Sequence, residues 1–325
     1  MRSKQVWMDG RLVPTEQATV PFLNTGLHYG LAVFEGIRAY GTARGSAVFR
    51  LPEHVARLMH SAHVLAMPPI PWSESEILEA VCEVVAANGF EDCYVRPLIY
   101  LREGAWNLDV GNAKSSFGIA VWEWGPYLGA EARENGVRAN VSSFTRHHPN
   151  VMMTKAKIAG NYANSALAKT ESVRLGFDEA IMLDPSGFVA ECTGENLFLV
   201  RDEAIVTTPT ATILEGITRD SILTLARDLG HEVREQPVSR DQLYLADEVF
   251  VCGTAAEVVA LREIDGRRIG SGRMGPVTRA LQQAFHAAVR GENPRYESWL
   301  TYVRDAAAKR SGLASPLPST SRASS

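Results

Sequence analysis

Lys155 and Lys157 stand just before Gly160-Asn161-Tyr162, and Glu191 follows within Glu191-Cys192-Thr193-Gly194-Glu195-Asn196. An amine, a phenol and a carboxylate in this order could hold pyridoxal phosphate by its aldehyde, its ring hydroxyl and its ring nitrogen. An amine condenses with a carbonyl only when neutral, so a lysine in this role needs partial burial or nearby cations to lower its pKa. A carboxylate against the pyridine nitrogen keeps that nitrogen protonated, and the ring then accepts the electrons released with a substrate's α-proton. Taken singly these residues have plainer readings: a solvated lysine, a strand-end acid, a tyrosine packed at a helix start. Spacing alone leaves the choice between Lys155 and Lys157 open.

A phosphate dianion needs backbone donors and a cation. Leu214-Glu215-Gly216-Ile217-Thr218-Arg219-Asp220 opens an amphipathic helix, where free amides meet the positive end of the dipole. Gly253-Thr254-Ala255-Ala256 follows a strand and offers a second hydroxyl and amide cluster, and Arg57 could add a forked guanidinium. Gly-x-Thr before a helix is also common capping chemistry, so no one of these decides. The chain contains no GxxxxGK[ST], which disfavours nucleotide binding of that kind.

The elements that must position these groups alternate along the chain. Val6–Val13 reads as two short strands about Asp9-Gly10. Val55, Leu58, Met59, Ala62 and Leu65 recur at helical spacing after Pro52, and a second helix runs from Ser73 or Ser75 to Asn88-Gly89. Strands follow at 93–101 and 117–122. The Gly- and Pro-containing stretch 124–136 marks the boundary between a small N-terminal α/β domain (1–123) and a larger C-terminal domain (137–308). There a helix spans 163–175, strands fall at 179–183, 188–191, 196–200 and 204–207, and a helix covers 217–229. Two further strands, 231–236 and 247–252, complete the pattern. Residues 309–325 are Ser-, Pro- and Ala-rich and read as a disordered tail.

Composition narrows the function classes. At 325 residues and 46% hydrophobic the chain can bury the cores of two domains. Its net charge of −4, without a basic block, points away from nucleic acid. Cys82, Cys93, Cys192 and Cys252 form no CxxC pair, so neither a metal site nor a disulfide framework is expected. No apolar run is long enough to span a bilayer and no signal core follows the N-terminus, so the expectation is a soluble cytoplasmic protein.

Taken together, Lys157 with Gly160-Asn161-Tyr162, Glu191 with Gly194-Glu195-Asn196-Leu197-Phe198, and Gly216-Ile217-Thr218-Arg219-Asp220 resemble the class IV (fold type IV) pyridoxal-phosphate-dependent aminotransferases. His28-Tyr29-Gly30, Phe34-Glu35-Gly36-Ile37-Arg38, Tyr94-Val95-Arg96, Trp124-Gly125-Pro126-Tyr127 and 245–250 look like the branched-chain amino acid branch, and the likeness runs from about Val6 to Leu300. The resemblance implies an α/β N-terminal domain, a C-terminal pseudo-barrel domain and the cofactor between them. It selects Lys157, by its spacing to Gly160-Asn161-Tyr162, as the residue that bonds the cofactor and shuttles the proton. Glu191 then faces the ring nitrogen and Tyr162 the ring hydroxyl, while Arg57, Gly216, Ile217, Thr218 and Thr254 hold the phosphate.

The reaction implied is a ping-pong exchange between branched-chain L-amino acids and 2-oxoglutarate. Phe34, Gly36, Trp124, Tyr127 and Tyr162 would line an apolar pocket, and Arg96 would meet the γ-carboxylate of glutamate. Tyr94 with the Thr254 and Ala255 amides would take the α-carboxylate, and Tyr29 and Leu108 would enter from a second subunit of a homodimer. The segment Gly104-Ala105-Trp106-Asn107-Leu108 departs from the Gly- and Pro-rich loop usual there, and Trp106 could reshape the pocket. D-amino-acid and (R)-amine transaminases of the same fold are the rival readings, and a binding protein without turnover is a third. The Phe34–Arg38 and Tyr94–Arg96 motifs favour the branched-chain one.

Overall fold

The computed structural model describes residues 3–125 and 128–304. Among these, two sheets face each other across a cleft. The first has eight strands, all antiparallel, and holds the chain up to Trp122 together with the late strand Leu300–Tyr302, which pairs with Gly45–Phe49. It opens on the expected hairpin, Gln5–Met8 with Arg11–Pro14, turned by Asp9 and Gly10, both at positive φ. The helices Leu51–Val64 and Glu74–Asn88 cover one face. The second starts with a capping box between Ser73 and Glu76, which fixes its first turn at Glu74.

Alternation along the central strand, Cys93–Glu103, decides what reaches the cleft. Cys93, Val95, Ile99 and Leu101 join the apolar core under the two helices, while Tyr94, Arg96 and Leu98 lie on the opposite face and line the cleft. The same alternation in Ile37–Thr42 buries Ile37 and Ala39 in that core and leaves Arg38 and Tyr40 on the other side.

The second sheet has nine strands of mixed direction. Val137–Val141 runs parallel to both Glu179–Leu183 and Glu257–Ile264, and Asn196–Arg201 sits antiparallel beside Glu248–Gly253. The helix Ile217–Asp228 packs on Glu248–Gly253, and Pro276–Val289 packs on both that strand and Glu257–Ile264. Several elements lie where the sequence reading assigns none, among them the strands Ala32–Phe34, Ile37–Thr42, Val137–Val141 and Glu257–Ile264 and the helix Pro276–Val289, whose Leu281, Phe285 and Ala288 are buried. Residues 124–136 contain the short helix Ala130–Asn135. Phe49 and Tyr40 of the first sheet share a core with Phe198, Phe250 and Phe285 of the second half. The expected tail, 309–325, lies outside the described residues. Among those described, no helix is long and apolar enough to cross a membrane.

Candidate active site

Lys157 is held by the first sheet although it lies in the second half of the sequence. Its amide donates to Ser61 Oγ at 2.9 Å, its carbonyl accepts from the Phe34 amide at 3.1 Å, and Ile158 bridges to Val33. Ser61 in turn donates to the Arg57 carbonyl at 2.8 Å. The segment crosses back under the helix Leu51–Val64, and Tyr162 opens the helix Tyr162–Arg174 beyond it. The outcome is a Lys157 Nζ to Tyr162 Oη hydrogen bond of 2.6 Å at the floor of the cleft. Lys155 has another job. It is exposed, pairs with Glu215 at 3.1 Å and donates to the Thr210 carbonyl, and of the two lysines it is Lys157 that lines the cleft.

Glu191 closes one end of this cleft. It is 5% exposed, and its Oε1 pairs with Arg146 at 2.8 Å. Its Oε2 accepts from the Asn196 amide group and the Leu214 backbone amide, both at 3.3 Å. Burial pushes the Glu191 carboxyl above its ordinary pKa, and the Arg146 guanidinium and Leu214 amide act against that rise. Arg146 was not a candidate from the sequence; it follows the strand Val137–Val141 in an irregular segment with no spacing that ties it to Glu191.

Arg57, Ile217, Thr218 and Thr254 meet at the other end. No side chain caps the helix Ile217–Asp228, so its first amides remain open towards the cleft. A Cβ at Gly216 would come 2.0 Å from Asn196 Oδ1, which requires glycine there and lets the helix start pack close against Asn196. Arg57 is fixed by a fork: Nε and Nη2 donate to the two Glu35 oxygens at 2.6 and 2.9 Å, and Nη1 donates to the Glu215 carbonyl at 2.8 Å. Burial works against a charged Glu35, but Arg57 and His54 outweigh it and hold the carboxyl far below the ordinary carboxylate range. Glu35 and His54, fully buried 2.7 Å apart, are a support that sequence reading did not assign.

This cleft, of about 550 Å³, therefore offers a carboxylate with a cationic backing, an amine with a phenol, and a cationic amide nest, in that order. These donors and acceptors fit pyridoxal phosphate, with Glu191 for the ring nitrogen and the Arg57 end for the phosphate.

A second chamber of about 1000 Å³ shares Lys157, Tyr162 and Thr254 with the first. Phe34, Tyr94 and Trp124 wall it, with the Tyr94 and Trp124 rings edge to face at 4.7 Å. Gly36 is required by close approach, since a Cβ there would fall 2.0 Å from Tyr94 Oη. Arg96 lies with its guanidinium 4.5 Å over the Phe34 ring, 5.3 Å from that of Tyr94 and 5.7 Å from that of Trp122. Its Nη2 donates to Tyr94 Oη at 3.3 Å, and among the described residues no carboxylate pairs with it. Ala255 also lines this chamber. Glu195 lines both chambers, and burial, with Glu179 nearby, pushes its carboxyl up to about 8.

Three candidates lie elsewhere. Tyr29 and Leu108 are exposed and do not line this chain's chamber, nor does Trp106, whose ring packs against His28 and Tyr29. Tyr127 is outside the described residues.

The chain is similar to known proteins over most of its length. The amino-transferase class IV family model matches residues 32–264. A branched-chain-amino-acid aminotransferase of Pseudomonas aeruginosa is 47% identical over 93% of this chain and 98% of its own length. A solved structure of the T.th. branched-chain amino acid aminotransferase with pyridoxamine 5'-phosphate has a TM-score of 0.89 at 52% identity, covering 93% of this chain and 99% of that one. The same enzyme with N-(5'-phosphopyridoxyl)-L-glutamate has a TM-score of 0.88 at 51% identity, with the same coverage. The expected two-part fold is that of these structures. With the family model matched over residues 32–264 and a relative 47% identical along nearly its whole length, the chain belongs to the class IV aminotransferases.

Proposed function

We propose that this protein is a branched-chain-amino-acid transaminase that moves the amino group of L-leucine, L-isoleucine or L-valine to 2-oxoglutarate through pyridoxal 5'-phosphate. Similar proteins carry that name, and one is solved with pyridoxamine 5'-phosphate and with a phosphopyridoxyl-glutamate adduct. The observation that carries the reading is Arg96. A guanidinium resting on aromatic walls without an acid partner makes one chamber serve two side chains. An aliphatic chain packs on Phe34 and Trp124, and a γ-carboxylate pairs with the waiting charge.

When bound, pyridoxal phosphate supplies an electron sink for the pair left when the substrate's α-proton departs. Lys157 would bond its aldehyde at rest, and the freed Nζ would be the group that takes up and gives back the substrate's proton. Tyr162 Oη, 2.6 Å from that amine, orients it and reaches the ring hydroxyl. Glu191, backed by Arg146, accepts a hydrogen bond from the ring nitrogen and favours its protonated form. Arg57 and the amides of Ile217 and Thr218, with the Thr218 and Thr254 hydroxyls, hold the phosphate. Tyr94 Oη and the Thr254-Ala255 turn receive the α-carboxylate.

The protein acts as a cytoplasmic homodimer. Phe22, Leu23, Leu27, Tyr29, Trp106 and Leu108 are all exposed, and the rings of Phe22, Trp106 and Tyr29 are linked through His28 and one another, an apolar surface suited to a partner. In the dimer Tyr29 and Leu108 complete the partner's chamber. Light scattering should return twice the chain mass, and a fully active monomer would refute this part.

The functional test is a single-turnover screen of the holoenzyme without 2-oxo acid, following loss of the cofactor's long-wavelength absorbance. L-leucine, L-isoleucine, L-valine and L-glutamate should each bleach it within one turnover. Bleaching by D-alanine or (R)-amines alone would replace this reading with the D-amino-acid or amine one.

A further inference from the structure

Behind the chamber wall lies a cavity of about 630 Å³ in which Arg38, Arg133, His286 and Arg290 gather around Glu257. The wall is the turn Thr254-Ala255-Ala256, and Ala255 borders both spaces. Glu257, the next residue, has φ of +60°, a left-handed conformation that a non-glycine residue keeps only when its surroundings enforce it. Its carboxylate accepts from Arg38 Nη1 at 3.2 Å and lies 3.3 Å from His286 Nε2, with both Arg38 and Glu257 side chains 13% exposed. Arg38 also donates from Nη2 to the Trp124 carbonyl at 2.9 Å, and its strand position is directly opposite Tyr94 in register.

One partly buried ion pair thus joins three separate pieces of the substrate chamber: the strand next to Tyr94, the segment bearing Trp124 and the turn bearing Thr254 and Ala255. We propose that Glu257 is a positioning residue, whose carboxylate, through Arg38, presets the end of the chamber that receives the substrate's α-carboxylate. This rests on the transaminase reading above. Neither Arg38 nor Glu257 lines the cofactor cleft, although Thr254 of the same turn does, and the phosphate keeps Arg57 and the Ile217–Thr218 helix start, so loss of the ion pair falls first on substrate recognition.

The test compares holoenzyme variants E257Q, E257G and R38K with wild type. The readouts are kcat and KM for L-leucine and 2-oxoglutarate, and the Kd of 4-methylpentanoate, leucine's carbon skeleton without its amine, read from the perturbed cofactor absorbance. Losing one charge-assisted hydrogen bond should raise both KM values and the Kd about tenfold in E257Q, with kcat within about twofold. Cofactor retention and the unliganded spectrum should not change. E257G relieves the backbone and should show the same rise, because the carboxylate and not the φ angle sets the wall. R38K, with a point charge in place of a fork, should fall between. R133Q, whose guanidinium is 3.9 Å from Glu257 and half exposed, should bind like wild type. Wild-type KM and Kd in E257Q, or a loss of cofactor affinity and melting temperature in step with KM, would overturn the proposal. Wild-type turnover of L-leucine checks the functional reading separately; if it is absent, the positioning role falls with that reading.

Discussion

Replacing Arg96 by methionine should split the two half-reactions. Methionine keeps an unbranched apolar stem against Phe34 but removes a guanidinium that no acid of the described residues neutralises. A carboxylate about 4 Å away in a partly buried site interacts with that charge by about 4 kcal/mol at an effective dielectric constant near 20. Desolvation reduces this, and charge-assisted hydrogen bonds measure about 1.5–3 kcal/mol net. A loss of about 2–3 kcal/mol corresponds to about 30- to 150-fold in kcat/KM. That loss should fall on L-glutamate and 2-oxoglutarate, while L-leucine stays within about threefold because its side chain makes no polar contact. The assay is stopped-flow absorbance of R96M holoenzyme against each substrate singly. Equal losses for leucine and glutamate would mean that Arg96 reads the shared α-carboxylate, and the two-substrate account of the chamber would be wrong.

Other perturbations probe other parts of the site. In R146M, Glu191 loses the only cation within ion-pair distance of it among the described residues; unpairing a buried charge costs about 3–5 kcal/mol, so kcat should drop at least about tenfold and cofactor affinity should weaken, which equilibrium dialysis would detect. G36A forces a methyl to 2.0 Å from Tyr94 Oη, so KM for both amino acids should rise about tenfold while cofactor affinity stays put; an unchanged KM would exclude Tyr94 from carboxylate binding. Glu195 titrates near 8 in the folded protein, above its unfolded value of about 4.3, so the native state holds a proton that the unfolded chain has already lost. Between those two values wild type loses stability with rising pH, and the melting-temperature advantage of E195Q should grow up to about pH 8 and then level. A gap independent of pH would contradict that.

The chemistry was more legible in the sequence than its supports. Lys157, Tyr162 and the Gly216–Thr218 helix start sit in short local patterns, and residue type with spacing brings them into view. Ser61, Arg146, His54 and the role of Glu35 depend on partners from other elements; Ser61 and Lys157 are 96 residues apart. No local period announces such pairs. Glu35 illustrates the difficulty: a charge between Phe34 and Gly36 interrupts the apolar alternation, so the strands Ala32–Phe34 and Ile37–Thr42 do not read as strands, and only the Arg57 fork explains the acid. The helix Pro276–Val289 is different. Val277, Leu281, Phe285 and Ala288 do recur at helical spacing after a proline start, so that element is legible in the sequence. Tyr29 and Leu108 mark the other limit: both are exposed in this chain, and the proposed role in a partner's site would leave no signal in its own chain's geometry.

The central claim is that Lys157, and not its neighbour Lys155, bonds the cofactor. Borohydride reduction of the holoenzyme followed by peptide mass mapping tests it directly. The phosphopyridoxyl mass should appear on Lys157, persist in K155A and vanish in K157A together with transaminase turnover. A label on Lys155, or undiminished turnover in K157A, would contradict the account.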